Sequence, residues 1–358
     1  MLRTSIGVGG AASGRRDDWD EKVRFAVEAE RLGVDVVWSA EAWGQDAVAP
    51  LAYLAAVTSR IKLGTNIMQV TPRTPSLTAM TALTMASISK GRFLLGLGVS
   101  GPQVVEGLHG VPFQPAFTRL REHVEIVRLA FAGEPLEYHG QVYDQPRAGG
   151  EGKRLRLAQP ANPDIPIYLG TLSPKSLEYT GAVADGWCGT ALVPEAAEAL
   201  FAPMRVGAER AGRRFEDLDI VAGARLGVGD DVERYFEDER RKLLNSLGAM
   251  GSARTNFYNR AYQRAGYADE AREVQRLWKA GRRDDALALV PDELVHQVSF
   301  LGTPDMVRER LRAYRDAGVT TLRFEAIGRT VDEQLEHLAR GVDLVKELNR
   351  AEVSGTGR

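Results

Sequence analysis

The sequence predicts an α/β protein of the (β/α)8 (TIM) barrel class. Three observations carry that expectation. Strand and helix patterns alternate through eight pairs with few hairpins, the strand runs are apolar enough to be buried on both faces, and successive strands finish in Gly, Ser, Thr or Asn. An open doubly wound sheet is the main rival. A length of 358 residues allows two domains, yet barrels reach this size through loop insertions.

The first strand is residues 3–8, leading into the glycine-rich GVGGAASG. That stretch matches neither a Walker pattern nor the dinucleotide fingerprint and reads as a strand-to-helix loop. The first helix follows Asp17 and Asp18, places Trp19, Val23, Ala26 and Val27 on one face, and stops at Gly33. VDVVWSA (34–40) is a buried strand that ends at Glu41 and Trp43. After a short helix at 51–58 comes IKLGTNIMQVTPRTP (61–75). Its Ile61, Leu63, Thr65 and Ile67 alternate with polar or small residues, and its two prolines then force the chain out of the sheet. A helix at 76–89, a strand at 93–99 ending in GLGVSGP, and a helix striped by Leu120, Val124, Val127 and Phe131 follow. A hairpin turns at His139-Gly140.

The fifth strand is 165–169, with a helix starting near Ser173-Pro174. Strands at 186–188 and 219–226 come next, then a charged, mostly helical insertion at about 229–290 over one barrel end. A helix (304–317), a strand (320–325) and a helix carrying Val331, Leu335, Leu338, Val342 and Val345 complete one barrel domain, 1–352. Residues 353–358 are expected to be a disordered tail.

Composition narrows the function. Hydrophobic residues at 44% and charged residues at 26% are those of an ordinary globular protein, and a net charge of -2 gives no reason to expect nucleic acid or an anionic membrane. No run has the length of a membrane span and the N-terminus lacks a signal-peptide pattern, so the cytoplasm is the expected compartment. The one cysteine, Cys188, reads as a packed core thiol and excludes an internal disulfide. Histidines 109, 123, 139, 296 and 337 have no zinc spacing, so no metal is expected. There is no Gly-x-Ser-x-Gly elbow for serine hydrolysis, and no lysine at a strand end for an aldolase, since Lys62 begins its strand. The run DVERYFEDERRKLL (231–244) mixes charge signs and reads as a solvated face.

Four segments, LGTNIMQVTPRTP, GRFLLGLGVSGP, PIYLGTLSPKSLEYTGAVADGWCGT and LGTPDMVRERLRAYRDAGVTTLRFE, occur in an order that resembles the bacterial-luciferase-like superfamily, in its branch using coenzyme F420. The resemblance covers nearly the whole chain outside 229–290. It implies a non-proline cis peptide at Asn66-Ile67, in a bulge backing one face of the deazaflavin ring. It puts Glu41 in the place of an acid that contacts the cofactor, and Gly98, Val99 and Ser100 along the ring. Gly170, Thr171 and Leu172 match a phosphate-holding turn, closed by Gly189 and Thr190. It also implies a homodimer.

The sequence departs from the alcohol- and sugar-oxidising members of that superfamily. Where they carry a histidine after the strand-2 acid and a glutamate after strand 4, this chain has Ala42 and Gly101. Reductase chemistry on a small organic substrate is therefore the expectation, with Glu41, Trp43 and His109 as the candidates for the catalytic side. An FMN-dependent monooxygenase, or a non-catalytic deazaflavin- or flavin-binding protein, are the alternatives.

Overall fold

The computed structural model describes residues 1–8, 18–252 and 254–355. Most of the glycine-rich loop expected after the first strand lies outside the described residues. Parallel strands follow one another in the order Thr321–Ala326, Arg3–Gly7, Val36–Ser39, Lys62–Thr65, Phe93–Gly98, Ile167–Gly170, Gly186–Cys188 and Asp219–Val228, and the last of these pairs again with the first. This is the strand order of the (β/α)8 barrel class. The described chain divides into two compact units.

The first unit comprises Met1–Gly7, Asp18–Val37 and Thr171–Arg358. Its strand Thr321–Ala326 lies in parallel register between Arg3–Gly7 and Asp219–Val228. Alternation sends Leu322 and Phe324 to one face, where Phe324 meets Phe300, and Phe300 meets Tyr314 of the helix Pro304–Asp316. The helix Trp19–Leu32 begins where Asp18 accepts from the backbone N–H groups of Asp20 and Glu21 and ends at left-handed Gly33. Two helices not individually expected from sequence are Glu198–Arg210 and Asp292–Gln297. Glu198–Arg210 packs backbone to backbone on Pro174–Val183: a Cβ on Gly181 would stand 1.9 Å from Met204 O, and one on Gly207 would stand 1.8 Å from Glu178 O.

The strand Phe300–Gly302, paired with Leu226 to Val228, was also not expected. The segment between residues 233 and 297 forms five α-helices and a π-helical turn, Asn245–Ala249, around a core including Leu243, Leu247, Tyr262, Val274, Leu277 and Leu294. The run 231–244 is more than a solvated face. Glu239 is buried 3.4 Å from Arg225, and burial raises its pKa. Cys188 is a packed thiol, its pKa raised by burial. The final helix runs Val331–Gly355 and so includes residues 353–355 of the expected tail. Residues 356–358 lie outside the described residues.

The second unit comprises Val8–Asp17 and Trp38–Gly170. Leu63 and Gly64 pair with Phe93 and Leu94, and Leu95 to Gly98 pair with Ile167 to Gly170. The strand expected to carry a bulge at Asn66-Ile67 is split there into Lys62–Thr65 and Met68–Gln69. Thr65 Oγ1 donates to Gly96 O and accepts from Gly96 N–H, each at 2.8 Å, and pairing resumes only at Met68–Gln69 opposite Leu97 and Gly98. The helix Ala116–Phe131 buries its expected stripe together with Glu122 and His123. Glu122 accepts from the backbone N–H groups of Gln141, Val142 and Tyr143 at 2.8, 2.8 and 3.0 Å, which fixes the turn of the hairpin Tyr138–His139/Asp144–Gln145.

Candidate functional site

In the second unit the strand ends gather a constellation around Glu41. Strand Val36–Ser39 ends, and Asn66 N–H donates to Ser39 O at 2.7 Å, so the break after Thr65 is tied to the neighbouring strand end. The Asn66-Ile67 peptide is cis. Glu41 Oε1 accepts from Gln69 N–H at 2.7 Å and from the Arg73 guanidinium, and Oε2 accepts from Ala47 N–H at 3.1 Å. Glu41 is 8% exposed and Arg73 19%. Its carboxylate therefore binds two loops of its own unit together, each oxygen accepting at least one hydrogen bond.

Three polar atoms beside it have no partner among the described residues: Ser39 Oγ, Asn66 Nδ2 and Gln69 Oε1. Ser39 and Gln69 are each 1% exposed. Gln69 directs its Nε2 to Ala42 O at 3.2 Å, which leaves Oε1 as a buried acceptor. Such atoms cost free energy unless something pairs with them. Sequence reading singled out Asn66 and missed Ser39, Gln69 and Arg73. An acid at an otherwise apolar strand end was the available signal that a cation had to be near.

Ile67 lies against the ends of two further strands, and Gly98 and Gly170 are the residues it covers. Val99 and Ser100 follow, half-buried, with Ser100 in the left-handed region at φ 60. In the same unit His123 is buried and bonded to Thr78 Oγ1 at 2.9 Å and Tyr143 Oη at 3.3 Å. Burial, then the nearby Arg73 charge, pushes its pKa down to about 3. Of the other two catalytic candidates, Trp43 is 59% exposed, and His109 is half-buried with a buried Nε2 that has no partner among the described residues.

In the first unit the turn after Gly170 is well anchored. Thr171 Oγ1 shares a hydrogen bond with Thr180 Oγ1 at 2.7 Å, Thr171 O accepts from Trp187 Nε1 at 2.9 Å, and Leu172 O accepts from Arg264 at 2.6 Å. Ser173 and Ser176 form a capping box on the helix Pro174–Val183. Gly189 is buried with its N–H on Val221 O at 2.6 Å, and half-buried Thr190 leads to left-handed Ala191. No group of three or more His, Cys, Asp or Glu side chains suited to a metal occurs among the described residues.

Residues 1–321 match the luciferase-like monooxygenase family. A protein of Mycobacterium tuberculosis provisionally named a coenzyme F420-dependent oxidoreductase is 40% identical over 302 residues, covering 82% of this chain and 87% of its own. An F420-dependent glucose-6-phosphate dehydrogenase of Nakamurella multipartita is 30% identical over 342 residues, covering 92% of this chain and 93% of its own. The solved coenzyme F420-dependent tetrahydromethanopterin reductase of Methanopyrus kandleri superposes with a TM-score of 0.75 at 23% identity, covering 96% of this chain and 98% of that one, a likeness of fold.

Proposed function

The chain belongs to the luciferase-like monooxygenase family, and from that premise we propose that it is a coenzyme F420-dependent oxidoreductase acting on a small organic substrate, as a reductase in preference to an alcohol or sugar dehydrogenase. The observation that carries this reading is the 40% identity, over 82% of the chain, to a relative named for that coenzyme. The site agrees with it. Ser39 Oγ, Asn66 Nδ2 and Gln69 Oε1 offer the mixture of donors and an acceptor that the carbonyl-and-imide edge of a deazaflavin calls for.

When bound, coenzyme F420 supplies or receives a hydride at C5 of its deazaflavin. The chain's own residues orient it and exclude water. Asn66 and Ile67, with Gly98, Val99 and Ser100, would hold the ring, and Glu41 keeps their loop in place through Gln69 and Arg73. Gly170, Thr171, Leu172, Gly189 and Thr190 would serve the phosphate-bearing part. Ala42 and Gly101 provide no acid or base, and the Glu41 carboxylate is already engaged. Reduction of an activated double bond or imine needs the least proton transfer from the protein, which favours the reductase direction.

Titrating the purified protein with coenzyme F420 and with FMN tests this. Micromolar binding of F420, followed by oxidation of its reduced form by an enone or imine, is the expected result. Binding of FMN alone would replace the proposal with a flavin monooxygenase, and binding without turnover would leave a cofactor-binding protein.

The partner proposed is a second copy of the chain. Tyr53 and Val57 on the helix Ala49–Val57, and Leu77, Met80 and Ile88 on the helix Pro75–Ile88, are exposed apolar side chains at helical spacing within the second unit. No helix among the described residues is long and apolar enough to cross a membrane.

A further inference from the structure

Several half-buried arginines in the first unit have carboxylate partners. Arg225 meets Asp238, Glu239 and Glu325; Arg240 meets Asp292; Arg310 meets Glu195. Two arginines on the helix Phe257–Arg264 depart from that pattern. Arg260 and Arg264 are half-buried and one turn apart, so they occupy the same face. Neither is ion-paired with a carboxylate among the described residues. The Nε atoms of both are buried and without a hydrogen-bond partner there. Arg264 donates to Leu172 O at 2.6 Å, and the Arg260 guanidinium lies 5.5 Å from the centre of the Phe257 ring.

A simple structural role accounts for part of this. Arg264 ties down the turn after Thr171 with one of its five donors. It does not account for a second cation beside the first. Partly buried like charges without a counter-ion are costly, and the pKa of Arg264 is lowered by burial and then by the charge of Arg260. An anion between or beside the two forks would supply what both lack, since a guanidinium matches phosphate and carboxylate in a bidentate manner.

We propose that Arg260 and Arg264 form a binding site for a phosphate or carboxylate group, at the turn that carries Leu172. The site rests on the preceding reading for its place in the reaction: the anion belongs either to the phosphate-bearing part of coenzyme F420 or to the substrate.

The test measures binding to the full chain and its Arg260→Gln and Arg264→Gln variants, with three probes. These are coenzyme F420, the deazaflavin chromophore lacking the phosphate and everything beyond it, and inorganic phosphate added to the protein both with and without F420. Arg260→Gln leaves the bond to Leu172 O in place, so it separates the site from folding. If the anion is the cofactor's, Arg260→Gln weakens F420 at least tenfold and leaves the phosphate-free chromophore within twofold. If it is the substrate's, F420 affinity stays and phosphate binding falls at least tenfold. Wild-type protein that binds F420 while neither substitution changes any of the three affinities overturns the proposal. Protein that binds phosphate through these arginines but not F420 keeps the site and removes the proposed function.

Discussion

Ile67 lies across Gly98: a Cβ placed on Gly98 would stand 2.9 Å from Ile67 Cγ1 and 3.0 Å from Cδ1. Gly170 has the same relation to the other branch, 2.8 Å from Cγ2. The small residues at these strand ends thus make room for a side chain of the protein itself.

Gly98→Ala is accordingly expected to destabilise the protein by about 1–3 kcal/mol through overpacking. It should also weaken F420, because Ile67 must move. Adding Ile67→Ala should recover part of the loss in both measurements, which denaturant unfolding and fluorescence titration of the single and double variants will show. Simple additivity of the two substitutions would mean that they are not coupled.

The Glu41–Arg73 pair should behave as a structural ion pair. Removing Arg73 leaves Glu41, 8% exposed, with only the backbone N–H groups of Ala47 and Gln69. A loss of about 3 kcal/mol in unfolding free energy is expected for Arg73→Ala, with less for Glu41→Gln, which keeps an acceptor. Glu41→Gln that abolished turnover at unchanged stability and unchanged F420 affinity would instead make Glu41 a catalytic acid or base.

His123 predicts an acid limb. Its pKa falls from 6.5 to about 3 on folding, by burial and then by the Arg73 charge. Between those values the unfolded chain binds a proton that the folded chain refuses, so stability drops as pH falls through this window, by at most about 1.4 kcal/mol per unit. Above the window the group contributes no slope. Unfolding titrations at pH 7, 5.5 and 4.5 should show a flatter dependence for His123→Gln than for the wild type, and identical slopes would assign the acid limb to other groups.

The exposed apolar faces of Ala49–Val57 and Pro75–Ile88 predict association. Leu77→Glu combined with Met80→Glu, both on positions about half exposed, should convert a dimer to a monomer in light scattering with little change in helix content. A wild-type protein that is monomeric at high micromolar concentration would refute that assignment.

Local chemistry made much of the architecture legible. Period-2 and period-3.6 patterns, Asp18 and Gly33 bounding one helix, and Ser173-Pro174 starting another were read correctly because each is decided within a few residues. So was the barrel class, from the alternation of elements, and the family, from four ordered strand ends. What the linear pattern left open were pairings between distant residues. Glu41 meets Arg73 across 32 positions, Glu122 meets the hairpin turn, Phe300–Gly302 becomes a strand only because Leu226 to Val228 lies beside it, and Arg260 and Arg264 are not ion-paired with a carboxylate among the described residues. Periodicity reports which face of an element is buried. Which partner a buried charge or a bare glycine meets is decided by proximity in three dimensions, and that only the tertiary structure shows.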